Sequence, residues 1–204
     1  MNGPDLVALL RADHETELAG LGTSKALFAL TDGAVDAATV HAVAIRELTA
    51  AESTFDAWAS NESDELAADL FEMAAARVAE HRQAISQAAS DTPTVERWFE
   101  SPSFSTTPGR LGGLFGWTLA TEATVDQIVD FFIGATYPEV AETYRHFRTD
   151  VKQLQDLTAT AIADGCVTDE DWSTAQQAAS TVIGTADEAY RQRLERLDVD
   201  PDPR

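Results

Sequence analysis

Side chains that could act as nucleophiles are few in this 204-residue sequence, and they form no recognisable catalytic motif. Cys166 is the only cysteine, it follows a predicted Asp-Gly turn, and it has no second cysteine nearby, so we expect an unreactive thiol. The glycine-rich stretch 109–113 lacks the lysine of a phosphate-binding loop, and no Gly-x-Ser-x-Gly sequence occurs. The sequence therefore favours a protein that is not an enzyme.

The four histidines are also scattered along the chain. His14 and His41 are expected in polar surroundings, and His146 adjoins Phe147 with no carboxylate three positions earlier. His81 lies on the apolar face of a predicted helix, where a single histidine is more often hydrogen-bonded than bound to a metal. The sequence by itself predicts no cluster of histidines.

Acidic residues dominate the composition and indicate the environment of the protein. The formal net charge is −21, and only two of the 14 basic residues are lysines, Lys25 and Lys152. Repulsion between these charges is relieved in molar salt, where the Debye length falls to about 3 Å. The composition resembles that of haloarchaeal proteins, which implies a high-salt cytoplasm. Because phosphate binding needs clustered Lys and Arg, we expect no direct binding of nucleic acid.

Neither end of the chain indicates export or membrane insertion. The first ten residues have no basic region ahead of an apolar one, and no apolar run reaches the ~18 residues of a membrane span. We therefore expect a cytoplasmic protein that does not bind membranes.

Apolar residues recur at helical spacing throughout, so the sequence predicts an all-α protein. The predicted helices cover approximately residues 4–19, 23–30, 36–60, 65–90, 111–133, 138–163 and 168–197. The capping sequence Thr168-x-x-Asp171 starts the last of them. The predicted inward-facing residues include Leu66, Ile133 and Leu157.

One long connection, residues 91–108, separates two predicted helical hairpins. It carries Trp98, Phe99 and Phe104 between prolines, and residues 94–100 are expected to form a helical turn. Burial of these aromatic rings in the core is the first expectation, and lining of a pocket or an interface is the alternative.

The two hairpins align with each other at a spacing of 70 residues, as Glu52 and Glu122 do. Such self-similarity indicates a duplicated supersecondary unit. The other matched pairs are Ala50/Ala120, Thr54/Thr124, Asp56/Asp126, Phe55/Val125, Trp58/Ile128 and Leu70/Val140. The predicted organisation is an N-terminal helical extension (1–33), a duplicated hairpin bundle (34–163), a C-terminal helix (164–197) and a frayed tail (198–204).

Two hairpins with one long crossover, together with the local sequence Val-Ala-Glu-His at 78–81, resemble the ferritin-like, rubrerythrin-type superfamily. The resemblance covers approximately residues 36–163 and implies a ferritin-like four-helix bundle. The whole chain is also similar to small acidic haloarchaeal proteins labelled as transcription antitermination proteins. That second resemblance implies a transcription-associated factor, which the acidic surface would direct towards basic protein partners.

The first resemblance also implies a set of metal ligands. The superfamily holds two metal ions with one Glu from each of two helices and a Glu-x-x-His from each of the other two. The residues that depart from this pattern are Val78 and Arg148, at carboxylate positions, and Val151, at the second histidine position. The surviving half-site, which could hold iron or another divalent metal, comprises Glu52, Glu80, His81 and Glu122. A shifted frame through Glu47, Glu80 and Gln83 is equally incomplete.

We therefore expect a non-enzymatic, ferritin-like protein with a degraded di-iron site and no bound cofactor, acting through a protein partner or as a homodimer. The alternatives are a metal-binding, rubrerythrin-like oxidoreductase that uses the half-site, and a transcription-associated factor. Glu122 lies on a predicted buried helix and must have a partner there, for which Arg148 and His81 are the candidates.

Overall fold

The computed structural model describes residues 3–89, 92–95 and 102–201, and these residues form eight helices and no strand. The all-α prediction is therefore confirmed for this part of the chain. The helices are α1 (Gly3–Asp13), α2 (Glu15–Leu21), α3 (Ser24–Leu30), α4 (Ala37–Ser60), α5 (Glu65–Ala88), α6 (Thr107–Gly134), α7 (Pro138–Gly165) and α8 (Asp169–Arg196). None of the described helices is long and apolar enough to cross a membrane.

Side-chain caps begin four of the five long helices. The side chains of Asp36, Asp64 and Thr106 accept hydrogen bonds from the backbone N–H groups three residues later, at the starts of α4, α5 and α6. Thr168 and Asp171 form the predicted capping box at the start of α8. Local sequence thus determines where these helices begin.

Helices α4 to α7 form two antiparallel hairpins that pack side by side, α5 against α7 and α4 against α6. Late in α4, the ring of Phe55 contacts Trp117 early in α6. Early in α4, His41 contacts Phe132 late in α6, so the two helices also run antiparallel. The connection from α5 to α6 must therefore run back along the bundle, over the ~36 Å length of a 24-residue helix.

Helix α8 lies along α6 and runs parallel to it, at a separation that two glycines permit. A Cβ atom on Gly112 would lie 2.1 Å from the carbonyl oxygen of Ala175. A Cβ atom on Gly116 would lie 2.5 Å from the carbonyl oxygen of Ala179. Backbones this close leave no room for a side chain, and α6 is buried between the bundle and α8 as its broad apolar band predicts.

The N-terminal region differs from its prediction. A single helix was expected over residues 4–19, but the chain breaks at His14, whose φ of −116° and ψ of 26° are not helical. The break turns α2 onto α8, where Gly20 packs beside the buried ring of Tyr190. Packing on a neighbouring helix thus overrides local helix propensity here.

Three predicted core residues are exposed instead. Leu66 is 78% exposed, Ile133 48% and Leu157 41%. Leu66 and Ile133 each stand one residue from the end of their helix, where the bundle no longer covers the apolar face. Leu157 lies on α7 beside a groove that is described below.

The long connection and the tail are described in part. Residues 92–95 are not helical, and the remainder of the predicted turn, with Trp98 and Phe99, lies outside the described residues. Phe104 packs against Trp58, with ring centroids 6.2 Å apart, as expected for a core contact. Within the predicted frayed tail, Val199 donates a backbone hydrogen bond to Leu194, so this part of the tail folds back onto α8.

Candidate functional site

Glu52, the first predicted ligand, is paired with an arginine of the same hairpin. Its carboxylate on α4 accepts a hydrogen bond from Nε of Arg82 on α5 at 2.7 Å, with a second, longer contact from the same guanidinium. The two side chains are 25% and 34% exposed. A positive group therefore already occupies the lone pairs that a metal ion would need.

Glu122, the second predicted ligand, is held by two cations. Its side chain is 14% exposed and lies 3.1 Å from Nζ of Lys152 on α7. The guanidinium of Arg11 on α1 contacts its other carboxylate oxygen. The expected partners, Arg148 and His81, are wrong: Arg148 pairs with Asp126, and His81 pairs elsewhere. Sequence analysis missed Arg11 because it is 111 residues distant, in a segment outside the repeat.

The pairs Glu52–Arg82 and Glu122–Lys152 occupy equivalent places in the two hairpins. Both members of the second pair follow those of the first by 70 residues, and each pair joins the two helices of one hairpin. The helix caps and one hydroxyl contact keep the same spacing: Asp36 and Thr106 cap α4 and α6, and Thr54 and Thr124 donate to the carbonyl four residues earlier.

His81 and Glu80 diverge although they are adjacent in sequence. His81 is buried, its Nε2 atom lies 2.7 Å from a carboxylate oxygen of Asp150 on α7, and its ring packs on Phe147. Glu80 points to solvent. His81 thus connects α5 to α7 as a hydrogen-bonded histidine.

The four predicted ligands therefore lie in separate pairs and do not converge on one point. Within residues 3–89, 92–95 and 102–201, no group of three or more His, Cys, Asp or Glu side chains could hold a metal ion. As arranged, Glu52, Glu80, His81 and Glu122 do not fit a di-metal centre, and the half-site stays a prediction that only metal binding can test.

His41 is a buried residue that sequence analysis placed wrongly. It was expected in polar surroundings, but it is 4% exposed, and its Nδ1 atom lies 3.0 Å from the hydroxyl of Tyr144. The ring of Phe132 stacks beside it. Burial lowers the pKa of His41 and raises that of Tyr144, so both are neutral at ordinary pH. The continuous apolar sequence around position 41 was the signal for this burial.

His14 and Cys166 have structural surroundings. Nε2 of His14 lies 2.8 Å from the hydroxyl of Ser180 and thereby connects the α1–α2 break to α8, so its neighbourhood is half-buried and not the polar surface that was expected. Burial, with a smaller contribution from Asp171, raises the pKa of Cys166 to about 11. A thiol with this pKa is hardly ionised at neutral pH, in agreement with the expected unreactive cysteine.

Two concave features stand out among the described residues. An apolar cavity of about 70 Å³ lies between α4 and α6, beside Trp117 and Phe147. A larger groove of about 500 Å³, here called the leucine groove, opens at the end of the bundle where α5 and α6 begin and α7 ends. Its lining includes Leu66, Leu70, Leu157 and Ala161, with Asp64, Asp164 and Asp171 beside them.

Comparisons of the chain with protein-family models, with curated proteins and with solved structures find no match.

Proposed function

We propose that this protein is a non-enzymatic, ferritin-like helical protein that acts by binding a protein partner in a high-salt cytoplasm. One observation carries the proposal: cationic side chains neutralise the carboxylates at the positions that resemble di-iron ligands. Glu52 pairs with Arg82, and Glu122 pairs with Lys152 and Arg11. A guanidinium or an ammonium group takes the same oxygen lone pairs as a metal ion, and it supplies no redox chemistry.

The arrangement of α4 to α7 supports the ferritin-like part of the proposal. Two antiparallel hairpins packed side by side, with a connection that returns along the bundle, match the layout of that superfamily. The equivalent caps and ion pairs at a spacing of 70 residues favour an origin by duplication of one hairpin.

The ion pairs have a clear structural role in this proposal. Arg82 joins α4 to α5, Lys152 joins α6 to α7, and Arg11 attaches α1 to the second hairpin. A partly buried carboxylate without such a partner would be strongly destabilising. We infer that the cations replaced metal ions as the groups that hold these helices together.

The net charge of −21 supports the remaining two parts, the environment and the partner. Repulsion of this size is tolerable where salt is molar. The same field favours partners that carry basic residues and disfavours nucleic acid. A component of the transcription machinery, as the second resemblance implies, would be one partner of this kind.

The proposal is tested by recovering the tagged protein from a halophilic host in molar KCl and analysing what accompanies it. We expect a protein partner at stoichiometric level and metal far below one ion per chain. Recovery of the chain without any protein partner but with a stoichiometric metal ion would instead support the oxidoreductase alternative.

A further inference from the structure

We infer that the leucine groove is the docking site for a basic, amphipathic segment of a partner protein. This inference rests on the proposed function, because it assigns a surface and a chemical class of partner to it.

The groove exposes leucines from two different helices. Leu66 on α5 is 78% exposed and Leu157 on α7 is 41% exposed, and both line the same depression. Neither position needs an apolar side chain for its helix to form, because Asp64 already caps α5 and Leu157 lies in the interior of α7. Two large apolar side chains left beside one groove are typical of an interaction surface.

The floor of the groove is apolar, and its volume suits a few side chains. Leu70 and Leu111 are buried beneath it, and Ala161 is half-buried at its wall. A volume of about 500 Å³ lies in the range of ordinary binding pockets. An amphipathic helix whose apolar residues recur every three to four positions would place two or three of them here.

The rim of the groove is acidic, and its described lining contains no Lys, Arg or His. Two of the rim carboxylates are held in place by backbone groups: Asp64 accepts from the N–H of Ala67 at 2.9 Å, and Asp171 from that of Thr168 at 2.9 Å. Hydrogen bonds from Thr168 lower the pKa of Asp171, so this carboxylate is ionised at neutral pH. Asp164, the third rim residue, is exposed.

This charge decides between the two kinds of partner that the sequence left open. A second copy of the chain would bring the same acidic rim and another charge of −21 against the first. A partner segment with Lys or Arg on both sides of its leucines would instead pair with Asp64, Asp164 and Asp171. The groove therefore fits a basic segment of a different protein.

The test uses a synthetic, fluorescein-labelled amphipathic peptide with leucines at helical spacing and lysines between them. Its binding to the full chain is measured by fluorescence anisotropy across a series of KCl concentrations. The comparison peptide keeps the leucines and replaces each lysine with glutamate. The variants are Leu66→Ser/Leu157→Ser, and Ile133→Ser as the matched control, because Ile133 is an exposed apolar residue at the end of α6 away from the groove.

We expect the lysine peptide to bind, and the double variant to weaken its binding at least about tenfold, since each leucine loses apolar burial. The Ile133 variant should bind as the wild type does, and the glutamate peptide should bind weakly. The preference for lysine should diminish as KCl rises, while the dependence on the leucines persists. Absence of binding by the lysine peptide, or equal binding by wild type and double variant, would overturn the inference.

The groove and the proposed function can fail separately. If the double variant recovers the same stoichiometric partner as the wild type in molar KCl, the groove is not the docking site, but partner binding stands. If neither protein recovers a partner and the wild type holds a stoichiometric metal ion, the proposed function itself fails.

Discussion

Glu52 on α4 and Arg82 on α5 form an ion pair across the first hairpin, with Nε 2.7 Å from the carboxylate. The equivalent pair in the second hairpin joins Glu122 to Lys152. Ion pairs at both of these positions hold the two hairpins in the same way, and the consequences for stability and metal binding can be measured.

Removal of the Glu122 carboxylate should destabilise the protein. In Glu122→Gln, two cations lose their common partner at a largely buried site, and we expect a loss of about 1–3 kcal/mol in the free energy of unfolding. Denaturant titration in molar KCl measures it. The control is Glu142→Gln on α7, which removes an exposed pair with Arg145 and should change stability by less than about 0.5 kcal/mol. Equal effects of the two variants would contradict the structural role of Glu122.

The close approach of α6 and α8 predicts opposite effects for two glycine substitutions. Gly112→Ala places a methyl group 2.1 Å from a backbone oxygen of α8, so we expect a loss of more than about 3 kcal/mol, or failure to fold. Gly184→Ala on α8 meets nothing within 4 Å and should stabilise the protein by about 0.5–1 kcal/mol. Thermal unfolding in molar KCl compares them. A well-tolerated Gly112→Ala would show that α8 does not pack this closely.

Burial of His41 predicts a particular dependence of stability on pH. Because the folded-state pKa lies below the model value of 6.5, the unfolded chain binds the proton more readily. The contribution of His41 is therefore complete above 6.5 and is lost as pH falls below it, by up to about 1.4 kcal/mol per pH unit. In His41→Phe this part of the pH dependence should vanish, whereas the exposed His146→Gln should retain it. The melting temperature as a function of pH measures both, and identical profiles for wild type and His41→Phe would be inconsistent with the buried pair.

The thiol of Cys166 should react slowly with iodoacetamide at neutral pH. A pKa of about 11 leaves very little thiolate, and the side chain is only 6% exposed. Relative to the denatured chain in urea, we expect a rate at least about a hundredfold lower in the native protein. Mass spectrometry of the alkylated protein follows the reaction. Similar native and denatured rates would mean that the wall of the leucine groove opens readily.

Local sequence signals predicted the helices well, because caps and apolar spacing act over a few residues. The capping box of Thr168 and Asp171 and the end of α5 near position 88 are examples. The break at His14 was not predictable in this way, since it depends on how α2 packs against α8.

The candidate site was harder to predict, because its partners are distant in sequence. The 70-residue repeat matched Glu52 with Glu122, and Arg82 and Lys152 obey the same spacing, so this pairing was within reach of the sequence. Arg11 was not, because it lies outside the repeat. The exposure of Leu66 also depends on where the bundle ends, and helical periodicity cannot indicate that.

Iron binding by matched variants tests the central claim most directly. Wild type, Glu52→Gln/Glu122→Gln and Arg82→Met/Lys152→Met are incubated with Fe(II) in molar KCl without oxygen, desalted into the same buffer, and analysed for iron. We predict far less than one iron per chain for the wild type, and no further decrease for the glutamine variant, because the carboxylates are occupied by Arg82, Lys152 and Arg11. Stoichiometric iron in the wild type that is lost in the glutamine variant would contradict the account.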